Sequence, residues 1–187
     1  MRIISGIHKG RKIFPSKKTP VRPTTDRARE GLFNILQNKI DISIINVLDL
    51  FSGTGIISFE FSSRGVKNIV SVDKNYNCVK NIKETSDSLN LNIQVVKHEV
   101  ISYLKNPYQK FNIIFADPPY EWSLDYYKKM INLIFDKEWL LQEGILIIEH
   151  NKNKKLDLIF QSYFSRSYGE NTFSFFKKKQ AYKPDSV

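Results

Sequence analysis

Ile44-Ile45-Asn46-Val47-Leu48-Asp49-Leu50-Phe51-Ser52-Gly53-Thr54-Gly55-Ile56 decides the fold. The apolar run 44–50 shows no polar alternation, so it reads as a strand buried on both faces, as in a parallel sheet covered by helices. It runs straight into two glycines and then a helical pattern, the turn by which such a strand hands its chain to a crossover helix. Outward from this stretch the rhythm repeats. Apolar runs at 69–73, 93–97, 112–116 and 145–149 read as further buried strands, and helical patterns near 56–64, 75–89, 100–105 and 124–135 fall between them. Repeated βαβ units predict an α/β, Rossmann-like fold with a mainly parallel sheet. A helix is expected near 155–160. After it, 163–168 and 172–177 flank Gly169-Glu170-Asn171 and read as an antiparallel hairpin at the sheet edge.

Ahead of the sheet, 2–4 and 11–14 are short extended pieces joined by Gly6 to Gly10, a small β-hairpin. Thr25 and Asp26 cap a helix whose apolar positions are Ala28, Leu32, Ile35 and Leu36. Residues 1–23 are therefore expected to form a basic hairpin arm, and 24–187 the Rossmann-like domain with its leading helix.

With 187 residues and 41% hydrophobic content the chain supports one well-buried domain with an appendage. No apolar stretch approaches the ~20 residues of a membrane helix, and the polar opening is not that of a secretory signal, so a cytoplasmic protein is expected. A single cysteine, Cys78, forms no internal disulfide and reads as core filler. His8, His98 and His150 are scattered without ligand spacing, so no metal is expected. The net charge is +10. It is concentrated at one end: Arg2, Lys9, Arg11, Lys12, Lys17, Lys18, Arg22, Arg27 and Arg29 precede most of the chain's acids, with Asp26 alone among them. Such a field favours phosphates, hence nucleic acid.

Asp117-Pro118-Pro119-Tyr120 ends the fourth strand. Two prolines fix φ and remove N–H donors, so the chain leaves the ladder and the nearby carbonyls stay stiff and unpaired. A carboxylate, a free carbonyl and an aromatic ring held together suit a planar base with an exocyclic amine. Asp117 and the Pro118 carbonyl accept its two N–H groups while Tyr120 stacks on its face. A plain strand-ending turn would use the same prolines.

The first strand's glycine loop and Asp73, at the end of the second strand, mark a nucleoside cofactor whose ribose hydroxyls the acid accepts. A dinucleotide would prefer a third glycine where Ser58 stands, and Asp49 would repel its pyrophosphate. S-adenosylmethionine carries a sulfonium and no phosphate, and suits these acids better. Together, Arg22-Pro23-Thr24-Thr25-Asp26-Arg27, Leu32-Phe33-Asn34, the 49–55 loop and the Asp-Pro-Pro-Tyr tetrapeptide resemble the RsmD family of bacterial small-subunit rRNA (guanine-N2) methyltransferases; the opening Arg2-Ile3-Ile4-Ser5-Gly6 and Lys9-Gly10-Arg11-Lys12 match as well.

The resemblance implies a class I S-adenosylmethionine-dependent methyltransferase fold, with the antiparallel edge hairpin at the C-terminus and the N-terminal β-hairpin arm helping to hold RNA. It implies methylation of one guanine N2, the 966-type site of 16S rRNA. The partner expected is small-subunit rRNA or the assembling small ribosomal subunit, and a monomer is expected. By motif position Asp49, Phe51, Gly53 and Gly55 would surround the methionine part of the cofactor, Asp73 the ribose, and Glu99 with Val100 the adenine. Asp117, Pro118, Pro119 and Tyr120 would be catalytic. Lys9, Arg11, Arg22, Thr24 and Arg27 would contact RNA or shape the base pocket. Rival readings are a DNA amino-methyltransferase, which the short chain without a recognition domain argues against, a non-catalytic RNA-binding assembly factor, and a nicotinamide dehydrogenase.

Overall fold

The structure, a computed structural model, describes residues 1–14 and 24–178. Its centre is β1 (Asn46–Leu50), flanked by β2 (Asn68–Asp73) and β4 (Phe111–Ala116). Outside these lie β3 (Ile93–Lys97) on one side and β5 (Leu140–Asn151), β7 (Asn171–Lys177) and β6 (Phe164–Tyr168) on the other, in the order β3-β2-β1-β4-β5-β7-β6. Strands β1 to β5 run parallel; β7 enters antiparallel between β5 and β6. The helices are α1 (Asp26–Gln37), α2 (Ile56–Ser63), α3 (Tyr76–Ser88), α4 (Val100–Tyr103) and α5 (Leu124–Asp136).

Side chains of a strand alternate between faces, and here each face finds its own core. Val47, Ile113, Phe115 and Ile147 pack with α1 and α2, whereas Leu48, Leu50, Ile114 and Ile148 pack with α4 and α5. The register pairs Leu50 with Ala116 and Ala116 with Ile148. Asp49, Asp117 and Glu149 therefore reach the carboxyl ends of three adjacent strands on the same face, the one covered by α1 and α2.

Several elements differ from the sequence reading, each for a local reason. Residues Ile42–Ile44 form a 3-10 turn capped by Asp41, so β1 starts at Asn46. Strand β3 is an edge strand and only half-buried, not covered on both faces. Strand β5 extends back to Leu140 because Gly144 lets two carbonyls approach: a Cβ there would lie 2.9 Å from both Leu141 O and Phe111 O. The helix expected at 155–160 is one 3-10 turn, Leu156–Leu158.

The N-terminal pieces do pair, through a bridge between Arg2 and Lys12 and the hydrogen bonds Ile3 N to Arg11 O (3.0 Å) and Gly10 N to Ile3 O (2.8 Å). This hairpin lies against the domain. Ile3 and Ile13 are buried in the α1–α2 core, Ile4 N donates to Glu60 Oε1 at 2.9 Å, and a Cβ on Gly6 would collide with Ser63 O at 1.9 Å. Arg29, counted above in the basic N-terminal stretch, is fully buried. It donates to Thr24 O, Arg2 O and Asp26 Oδ1 and stands 3.5 Å from Glu60, so it fastens α1 to the hairpin and to α2. Its charge is spent inside the protein, and the surface field is smaller than the sequence count implies.

Candidate active site

The loop after β1 turns by left-handed residues: φ is +58° at Phe51, +53° at Gly53 and +78° at Gly55. Gly55 closes the turn by donating to Ser52 O at 2.7 Å and then serves as the N-cap of α2. A Cβ at Gly55 would sit 2.7 Å from Ile82 Cγ1, so only glycine satisfies both the φ and the packing. Gly53 N donates to Asp73 Oδ2 (2.8 Å) and Asn75 N to Asp73 Oδ1 (2.8 Å), which orients the Asp73 carboxylate while leaving each oxygen a lone pair.

This corner opens into a cleft of about 760 Å³. Of the residues expected around a cofactor, Phe51, Gly53, Asp73, Glu99 and Val100 line it. Glu99 caps α4, accepting from Ile101 N (2.9 Å) and Ser102 N (2.7 Å). Asp49 and Gly55 do not line it. Gly55 is occupied by the α2 cap, and Asp49 is 1% exposed beneath the loop, where it accepts the Ser58 hydroxyl at 2.6 Å. Burial pushes the Asp49 carboxyl up to about 7 against the pull of that hydrogen bond, and the charge of Asp73 adds to the rise. The cleft also takes residues to which the sequence reading gave no part in it, Lys74, Lys105 and Lys129 at the rim, and Cys78, Ile101 and Tyr126. Cys78 is thus core and wall at once. Only the register of α3, α4 and α5 against the sheet brings these residues together, so no local pattern could have shown them.

Across the cleft stands the loop after β4. The ladder with β5 ends at Ala116, which leaves the Pro118 carbonyl outside it; Pro118 is buried and Pro119 lines the cleft. Asp117 faces the same cleft. Its carboxyl is held well above the ordinary range by burial, then by the charges of Glu149 and Asp49, the neighbours that strand register dictates. Tyr120 is 40% exposed, with its hydroxyl donated to Asn171 Oδ1 at 3.3 Å. Phe51 and Trp122 meet edge to face at 5.0 Å and make an aromatic wall between the two loops. Lys154 donates to Trp122 O (2.8 Å) and Tyr120 O (3.3 Å), pinning the loop's outer strand of backbone.

Thr24 is buried and donates its hydroxyl to Glu149 Oε2 at 2.7 Å, with Asn171 Nδ2 donating to Glu149 Oε1 at 2.6 Å, in the region beside Asp117. Lys9, Arg11 and Arg27 are exposed; Arg22 lies outside the described residues. Glu149, Asn171 and Lys154 were missed. The one sequence signal for them was an acid, Glu149, closing an otherwise apolar strand. Among the described residues no group of three or more His, Cys, Asp or Glu is placed to hold a metal, and no helix is long and apolar enough to cross a membrane.

Comparison with known proteins agrees with this geometry. A family model described as "Conserved hypothetical protein 95" matches residues 1–177. A ribosomal RNA small subunit methyltransferase D from Buchnera aphidicola is 36% identical over 160 residues, 82% of this chain and 80% of that one. The chain belongs to the RsmD family. The putative rRNA methyltransferase YlbH of Bacillus subtilis is 31% identical over 190 residues, 96% of this chain and all of that one. Among solved structures, the putative methyltransferase yhhF from Escherichia coli is 28% identical with a TM-score of 0.79, covering 95% of this chain and 99% of that one. The RsmD relationship accounts for the strand order: the fold is that of class I S-adenosylmethionine-dependent methyltransferases.

Proposed function

We propose that this chain is an rRNA methyltransferase that places a methyl group from S-adenosylmethionine on the exocyclic N2 of a guanine in small-subunit rRNA. One observation carries the reading: Asp117 and Pro119 of the tetrapeptide line the same cleft as Gly53 and Asp73 of the corner opposite.

The residues present fit the cofactor. Asp73 is pre-oriented by two backbone N–H groups and keeps lone pairs for the two ribose hydroxyls. Val100 and Ile101 offer an apolar surface to an adenine, with Glu99 at its edge, and the bare Gly53 backbone admits close approach. When bound, S-adenosylmethionine supplies an electrophilic methyl on a sulfonium. The rest of the chemistry belongs to the chain. A guanine N2 inside a helix is blocked, so the base must be presented unstacked; Tyr120 replaces the lost stacking. Asp117 and the Pro118 carbonyl accept the two N–H groups and turn the amine lone pair toward the cleft. Such alignment contributes up to roughly 7–11 kcal/mol. Asp117 then takes the proton that the alkylated amine loses. Only its ionised form can do so, and because its carboxyl is raised, activity should climb with pH well above the ordinary carboxylate range. Exposed Lys9, Arg11 and Arg27, with Arg22 between them in sequence, supply the contacts to phosphate. A cytoplasmic monomer acting on rRNA or an assembling small subunit fits this arrangement.

The test is transfer of labelled methyl from S-adenosylmethionine to unmethylated small ribosomal subunits, naked small-subunit rRNA and duplex DNA, followed by nucleoside analysis. N2-methylguanosine from either RNA substrate is expected. Methylated adenine or cytosine in DNA, or no transfer to any of the three, would overturn the reading.

A further inference from the structure

We propose that Asn171, oriented by Glu149, is a positioning residue that sets the angle of the Tyr120 ring for the incoming base; this rests on the function proposed above. Three hydrogen bonds run in series from the chain entering α1 to the tetrapeptide loop. Thr24 Oγ1 donates to Glu149 Oε2 at 2.7 Å, Asn171 Nδ2 donates to Glu149 Oε1 at 2.6 Å, and Tyr120 Oη donates to Asn171 Oδ1 at 3.3 Å. The direction of each bond follows from chemistry. Both Glu149 carboxyl oxygens accept, so the Asn171 amide lies with its NH₂ inward and its oxygen toward Tyr120, whose hydroxyl donates to it.

Glu149, Asn171 and Thr24 are all buried, so the relay starts from a rigid place, whereas Tyr120 stands 40% exposed at its end. A stacking platform that turned about its χ angles would present the amine poorly to Asp117, and the bond to Asn171 opposes that turn. Lys154 holds the backbone of the same loop at Tyr120 O and Trp122 O. Backbone and side chain are therefore fastened from two different elements, the segment after β5 and the start of β7. The relay also makes Tyr120 a poor proton donor to the base, because its hydroxyl hydrogen is already committed to Asn171.

The experiment is a double-mutant cycle in the full chain with Tyr120→Phe and Asn171→Ala. Tyr120→Phe keeps the ring and removes only the hydroxyl. Each single variant is expected to lower kcat/KM for unmethylated RNA by about tenfold, with the double variant no worse than either alone. Affinity for S-adenosylmethionine should stay within about twofold in all three. An Asn171→Ala variant as active as wild type, or two losses that multiply, would overturn the positioning role. If Asn171→Ala folds poorly, Asn171→Leu removes both the donor and the acceptor with little change of volume and takes its place in the cycle.

A second readout does not depend on turnover. In protein carrying ¹³C-tyrosine, the Tyr120 ring resonances, identified by their loss in Tyr120→Phe, should shift and broaden in Asn171→Ala. Unchanged resonances would contradict the relay. Absence of methyl transfer by the wild type would overturn the proposed function alone, with the resonances still deciding whether Asn171 holds the ring.

Discussion

Two loops end two neighbouring parallel strands in register, Leu50 beside Ala116, yet they are held by opposite means. The loop after β1 curls through positive φ and is closed by its own backbone, with Gly55 N on Ser52 O and Gly53 N on the next strand's Asp73. The loop after β4 is stiffened by two prolines but fastened by side chains far away in sequence, Lys154 and Asn171, and its acid is tuned by Glu149 and Asp49. The cofactor side of the cleft is therefore largely self-contained, and the substrate side is assembled from the rest of the fold. Damage to the first should register as lost binding or lost stability. Damage to the second should register as lost turnover, and residues outside the motif can inflict it.

The largest expected effect falls on the second loop. Asp117→Ala should lower turnover at saturating substrates by about a thousandfold, the scale of losing both an amine ligand and a proton acceptor; a loss below about tenfold in steady-state assays would erase the contrast between the loops. Next comes the first loop. Gly55→Ala forces a side chain into φ +78° against Ile82 and Phe59 and should cost about 1–3 kcal/mol in denaturant unfolding.

Smaller shifts sharpen the electrostatic side of the comparison. Burial holds the Asp117 carboxyl up and Glu149 adds to the rise, so Glu149→Gln should let Asp117 ionise earlier and move the acid limb of the kcat–pH profile to lower pH. An unmoved limb would mean that another group governs it. The smallest effect concerns Asp49, which keeps its proton up to about 7 in the folded chain. In the unfolded chain it ionises near pH 4. Ionised folding is thus penalised increasingly from about pH 4 to pH 7 and fully above that. Asp49→Asn should therefore raise Tm more at pH 8 than at pH 5, and an equal change at both would show that the proton is not held.

The same contrast decides how much the sequence revealed. Uninterrupted apolar runs alternating with helical patterns made the parallel sheet legible, and the glycines and prolines marked both loops because each residue type carries its own backbone constraint. Covered edges and caps were less legible: β3 looked as apolar as a central strand, and 155–160 kept a helical pattern that delivers one 3-10 turn. The burial of Thr24 and Arg29 was not legible, for one reason. A polar residue in a basic segment reads as surface until tertiary packing supplies the partners, here Glu149, Glu60 and two carbonyls, that allow it to be buried. Asn171 and Lys154 carry no motif at all; their roles exist only because β7 and the segment after β5 return to the site.

The division of the cleft is tested most directly by calorimetric titration of S-adenosylmethionine into wild type, Asp73→Ala and Asp117→Ala. One site per chain is expected in the wild type, with affinity weakened at least about tenfold by Asp73→Ala and changed by less than about threefold by Asp117→Ala. An Asp73→Ala variant that binds like wild type, or an Asp117→Ala variant weakened as much as Asp73→Ala, would contradict it.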